Sequence, residues 1–179
     1  MITTDMVFHL PFDPEALKSL PGAKTHVRHL SDMATYYANQ EAVQRLLATN
    51  PLIYEFVECE YQGTERGLSF GTTRILPGTI GHEYYMTKGH YHLNGGDEIY
   101  IVLRGHGVML TQTRDGRVQT DELAPGQFYY APGHLGLRTI NTGNEDLLFF
   151  GIWVPYIEHD YDTIARTGFS KRLMRDSTM

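Results

Sequence analysis

From Leu52 to Pro155 the chain is a succession of short runs rich in β-branched and aromatic residues, broken by Gly, Pro, Asp and Asn. No stretch of helical periodicity lies between them. LIYEFVECE (52–60) and SFGTTRILP (69–77) alternate. HEYYMT (82–87), EIYIVL (98–103), GVMLTQT (107–113), VQTDEL (118–123), QFYYAP (127–132), LRTIN (137–141) and DLLFFGIWVP (146–155) follow. Arg114-Asp115-Gly116-Arg117 is a tight-turn signal that predicts a hairpin into VQTDEL. Eight or nine strands without intervening helices predict a sandwich or barrel and exclude a βαβ fold.

Residues 1–50 have a different texture. NQEAVQRLLATN carries Ala42, Val43, Leu46 and Leu47 at helical spacing, with Asn39 placed to cap the start and Asn50-Pro51 to end it. A short helix is expected near Ser31-Asp32, and the extreme N-terminus reads as an arm of extended, irregular chain. Near the end, YDTIARTGF predicts one short helix from about Asp162, and MRDSTM reads as frayed. With 179 residues the chain suits one domain: 1–50 as arm and helices, 51–155 as the β core, 156–179 as C-terminal helix and tail.

Composition narrows the function. Fifteen basic residues against 21 acidic ones leave −6, which gives no electrostatic footprint for a nucleic-acid backbone. No run approaches the length of a membrane span, and MITTDMVFHLPFD lacks the basic and apolar regions of a signal peptide. One cysteine, Cys59, rules out an intramolecular disulfide framework and suggests a reducing compartment, so the expected location is the cytoplasm.

The densest constellation is Thr87-Lys88-Gly89-His90-Tyr91-His92, followed by Leu93-Asn94-Gly95-Gly96-Asp97-Glu98. In extended chain, residues i and i+2 point to one side, so His90 and His92 present two imidazoles together. Glu98 heads the next alternating strand on the face of Tyr100. An isolated H-x-H is more often a pair of loop histidines. Two histidines and a carboxylate joined by a Gly-Gly turn, however, can take three positions around one divalent metal.

GHYHLNGGDEIYIVLRGHG resembles the first cupin motif, and GQFYYAP running on to Asn141 resembles the second. The spacing from His92 to Glu98, the lead-in EYYMTKGHYH and the tail HDYDTIARTGFSK make the chain similar to the cupin-type phosphoglucose isomerases of archaea and some bacteria. The resemblance covers roughly residues 31–175. It implies an all-β cupin, a jelly-roll-like double-stranded β-helix with a few short flanking helices, and a homodimer. It also implies reversible isomerisation of glucose 6-phosphate and fructose 6-phosphate.

Carried over residue by residue, the resemblance implies metal ligands at His90, His92 and Glu98. The family's fourth ligand falls on Leu137, which cannot coordinate; the site is then a four-ligand one with His134, three residues earlier, as the replacement, a three-ligand one with an additional water, or one whose metal affinity is weakened or lost. The metal is divalent, with Fe2+ favoured over Mn2+, Ni2+ or Zn2+. The implied phosphate and substrate pocket comprises Thr73, Thr87, Gly89, Trp153, His159 and Tyr161, where Trp153 stands at a family tyrosine. Tyr100 is the aromatic expected to touch substrate, and Glu98 is the carboxylate for proton transfer. A metal-stabilised cis-enediolate and a hydride shift both remain open as routes. The other readings are a non-catalytic sugar-phosphate-binding cupin and a two-histidine, one-carboxylate iron oxygenase.

Overall fold

A computed structural model of the chain describes residue 9, residues 13–60 and residues 67–176. In chain order it contains α1 (Pro14–Lys18), β1 (Lys24–His29), α2 (Leu30–Met33) and a 3-10 turn (Ala34–Tyr36), then α3 (Gln40–Leu46) and β2 (Leu52–Cys59). Next come β3 (Ser69–Ile75), β4 (Thr79–Ile80), β5 (Glu83–Tyr84), β6 (Tyr91–His92) and β7 (Glu98–Arg104). The remainder is β8 (Gly107–Gln112), β9 (Val118–Leu123), β10 (Phe128–Ala131), β11 (Gly136–Asn141), β12 (Leu147–Trp153), β13 (His159–Asp160) and α4 (Tyr161–Thr167).

Six strands form one antiparallel sheet in the order β1-β2-β3-β12-β7-β10. The late strand β12 inserts between β3 and β7, so the chain must cross over rather than meander. A second sheet, β11-β8-β9, faces it. Bridges from Met86 to Ile140 and from His90 to Leu137 lay segment 86–90 along β11, and β13 pairs with β6 beyond it. Between the sheets lies a core that includes Leu30, Val43, Ile53, Ile75, Leu110 and Leu147, all 0–1% exposed. The architecture is the expected all-β cupin with short helices at its margins.

Local chemistry explains the elements. Asn39 caps α3, its side chain accepting the Ala42 N–H at 2.9 Å. The helix stops at Leu46, and Asn50 takes the left-handed φ of +41° ahead of Pro51. In the β8–β9 hairpin Gly116 sits at φ +89°, as the turn signal requires. Asn141 is fully buried; its amide donates to the carbonyls of Ile75 (2.9 Å) and Glu145 (2.8 Å) and accepts from Gly143 N–H (2.9 Å). It thereby ties β11 to the end of β3 and to the turn before β12.

Two expectations need correction. Residues 14–29, where no element is expected, hold α1, which packs on the large sheet through Leu17 against Val57 and Cys59, and β1, that sheet's edge strand. KTHVRH carries no hydrophobic alternation because its inward side chains, His26 and Arg28, line the cavity rather than the core. The arm expected before residue 13 falls, apart from His9, outside the described residues. HEYYMT does not form one strand; only Glu83 and Tyr84 pair, with β4. The chain end is tied down as far as Arg175, whose N–H donates to the His82 carbonyl at 2.7 Å, while 177–179 lie outside the described residues.

Candidate metal centre and substrate pocket

Cross-strand pairing assembles the site. β6 carries His92, and β13 places His159 directly opposite it, two segments that are remote in sequence. His90 is held by reciprocal bonds with Leu137, N–H to O at 3.1 Å and O from N–H at 2.9 Å. Glu98 enters from the first residue of β7 in the facing sheet. His90, His92, Glu98 and His159 each direct a ligand atom into a space where all four lie within 4.8 Å of one another.

The closest approaches are Nε2 to Nε2 of His90 and His92 at 3.1 Å, His92 Nε2 to Glu98 Oε1 at 3.5 Å, and His159 Nε2 to Glu98 Oε1 at 3.7 Å. Ligand atoms roughly 2.0–2.2 Å from one centre stand about 3.0–3.6 Å apart; two of these separations fall in that range, and a small side-chain adjustment would bring the remaining donors onto one divalent cation. The protonation states agree. Burial pushes the His90 imidazole down to about 3, against the attraction of Glu98, leaving a neutral ring with a lone pair. Burial alone would raise the Glu98 carboxyl; hydrogen bonds from His159, His92 and Tyr100 outweigh it and hold the group below the usual carboxylate range. The Tyr100 phenol donates to Glu98 Oε2, and burial and the neighbouring carboxylate push its own pKa well up.

The group opens on a cavity of about 310 Å³. That is the small end of ligand pockets, suited to a hexose phosphate rather than a dinucleotide. Thr73, Thr87, Gly89, Trp153, His159 and Tyr161 all line it, as do Glu98 and Tyr100. Thr87 Oγ1 accepts the Thr139 N–H at 3.1 Å. Trp153 packs at a tilt on Phe56, and His26 stacks on that ring's other neighbourhood with centroids 5.9 Å apart.

His134 is not brought to the group. It is exposed in the turn after Pro132, and the added imidazole beside His90 and His92 is that of His159. His134 is expected only as a replacement from the turn before Leu137, and nothing in the spacing reveals that HDYD pairs with HYH. Sequence reading also passed over Tyr54, Phe56 and Glu58, which share the inward face of β2 and line the cavity. The alternation of LIYEFVECE carried that signal.

A small antiparallel cupin with three imidazoles and one carboxylate converging on its inner wall is the class that fold and site define together. The family model described as Glucose-6-phosphate isomerase (GPI) matches residues 27–179. A glucose-6-phosphate isomerase of Thermococcus gammatolerans is 42% identical over 153 residues, covering 85% of this chain and 81% of the relative. One from Pyrococcus furiosus is 38% identical (88% and 85% covered), and one from Sinorhizobium medicae 31% (86% and 72%). The chain belongs to the glucose-6-phosphate isomerase family, in its cupin-type branch. Among solved structures, a mutant oxalate decarboxylase of Bacillus subtilis matches 64% of this chain and 30% of its own, at TM-score 0.50 and 21% identity. That likeness concerns the fold alone. No helix among the described residues is long and apolar enough to cross a membrane.

Proposed function

We propose that the protein reversibly isomerises glucose 6-phosphate and fructose 6-phosphate. The observation that carries this reading is a four-ligand group opening on a hexose-sized cavity in a chain of this family. His90, His92, Glu98 and His159 are the residues that would hold one divalent ion, with Fe2+ favoured and Mn2+, Ni2+ or Zn2+ compatible with the same donors. Bound there, such an ion would supply Lewis-acid polarisation of neighbouring sugar oxygens.

The chain's own residues supply the rest. Thr73, Thr87, Gly89, Trp153 and Tyr161 offer hydroxyl, N–H and aromatic surface to the sugar phosphate. Glu98 carries the proton between C2 and C1, and Tyr100 fixes the carboxylate by donating to Oε2. A phenol that stays protonated keeps that oxygen oriented throughout the cycle. Solvent deuterium appearing at C1 or C2 of the product supports the enediolate route; full retention of hydrogen assigns a hydride shift.

The assembly we infer is a homodimer, supported by the apolar edge of β10, where Phe128 and Tyr130 are 72% and 58% exposed. A cytoplasmic location fits the single buried thiol of Cys59. The deciding experiment is a coupled assay of fructose 6-phosphate conversion on chelator-stripped protein and after each metal is returned. Activity that vanishes on stripping and recovers with one metal is expected. Folded, metal-loaded protein that binds hexose phosphate without turnover would instead make it a binding cupin, and oxygen consumption would make it an oxygenase.

A further inference from the structure

His159 is the donor with the least sheet around it. β13 pairs only with β6, each strand two residues long, setting His159 against His92 and Asp160 against Tyr91. A ladder that short is marginal by itself, so side chains must fix its register. One end is closed by Leu93, whose N–H donates to the Glu158 carbonyl at 2.9 Å. Asn94 clasps the same end, accepting the Glu158 N–H at 3.2 Å and donating to the Tyr156 carbonyl. The other end, at Tyr91 and Asp160, meets Arg114.

Arg114 lies in the turn between β8 and β9, outside the cavity wall. Its guanidinium carbon stands 4.5 Å from the centroid of the Tyr91 ring, and Nη1 donates to Asp160 Oδ2 at 3.5 Å. Alternation along each strand sets Tyr91 and Asp160 on the face opposite His92 and His159. One cation therefore touches both strands from behind the ligands. Its two partners are themselves fixed. Tyr91 is buried, its phenol donating to the Thr113 carbonyl at 3.2 Å and accepting from the Gln112 amide at 3.1 Å. Asp160 caps α4, accepting the Thr163 N–H at 3.0 Å and its hydroxyl at 2.7 Å. A slip of β13 along β6 would break either the ion pair or the stack.

We propose that Arg114 is a positioning residue that sets the register of this ladder and so holds His159 beside the H-x-H pair. The inference rests on the four-donor metal reading and adds what keeps the remote donor in place. A guanidinium suits the task because it lies flat on a ring while an edge N–H reaches a carboxylate. An ammonium, a point charge on a flexible stem, keeps the ion pair without the planar stack.

The test titrates Co2+ into the full chain after chelation and follows its visible absorption, which reports the number and geometry of donors. Arg114→Gln is expected to bind Co2+ roughly 3- to 10-fold more weakly, with bands shifted toward those of His159→Ala. Arg114→Lys should recover part of the affinity. Arg117→Gln is the control: Arg117 pairs with Asp115 inside its own turn, so Co2+ binding should stay parental. In a His159→Ala background, Arg114→Gln should cause no further loss, a result that general loosening of the fold would not give. Parental Co2+ affinity in Arg114→Gln, or an equal loss with and without His159, overturns the inference. Co2+ binding that depends on Arg114 in a protein without isomerase turnover upholds it and refutes the isomerase reading alone. A parent chain that takes up no Co2+ overturns the positioning role together with the metal reading.

Discussion

Gly89→Ala tests whether the backbone beside the metal group is set by steric necessity. Gly89 has φ +72°, where an L side chain costs about 1–2 kcal/mol. A Cβ there would stand 2.7 Å from Phe169 Cε2, 2.8 Å from the Leu137 carbonyl oxygen and 3.1 Å from Arg138 Cβ. The phenyl ring can shift, but the carbonyl cannot retreat easily, because it accepts the His90 N–H. Overpacking of this kind adds about 1–3 kcal/mol, for a total of roughly 2–5 kcal/mol. Relief of the clash would loosen the His90–Leu137 bridge and move an imidazole that must hold position to within about 0.5 Å. Metal affinity should therefore fall by about ten-fold or more, the scale of losing a ligand's supporting contacts. Gly126→Ala is the reference: φ is +80°, and nothing lies within 4 Å of its added Cβ, so it carries the conformational cost alone. Urea unfolding of both variants, with competitive metal titration, isolates the steric share. If Gly89→Ala matches Gly126→Ala to within about 0.5 kcal/mol and retains parental metal affinity, the reasoning fails.

Two further outcomes are expected. His159→Ala should weaken metal binding by about ten-fold or more, whereas His134→Ala should leave it unchanged; equal effects in a metal-competition titration would return the fourth position to the 132–135 turn. Asn141→Ala removes three hydrogen bonds from a fully buried corner and should lower unfolding free energy by about 3 kcal/mol, at about 1 kcal/mol each, read as a shift of the urea midpoint at constant m.

Much of this molecule is legible in its sequence where apolar alternation and turn chemistry agree. The strands from Leu52 to Trp153, the Asn39 cap and the Gly116 hairpin are of that kind. So are His90, His92 and Glu98, which lie close in sequence on either side of one turn. Legibility fails where inward side chains are polar. β1 has His26 and Arg28 on its cavity face, so its period-2 signal is chemical rather than hydrophobic. It fails again where two remote segments meet. His159 reaches His92 through a two-residue ladder, which no local spacing encodes. His134 lies three residues before Leu137, where the family's fourth ligand falls, yet it is exposed in the turn at 132–135.

The pairing of β13 with β6 also imposes an order in time. Strand β1 supplies one wall of the cavity from near the start of the described chain, and His159 and Tyr161 complete it from near the end. A nascent chain extended only to Trp153 possesses the H-x-H pair and Glu98, but neither His159 nor Tyr161. Synthesis thus adds His159 only after every strand of the two large sheets has been made. Completion of the four-donor group and of the pocket then becomes a late event that follows the sheets themselves.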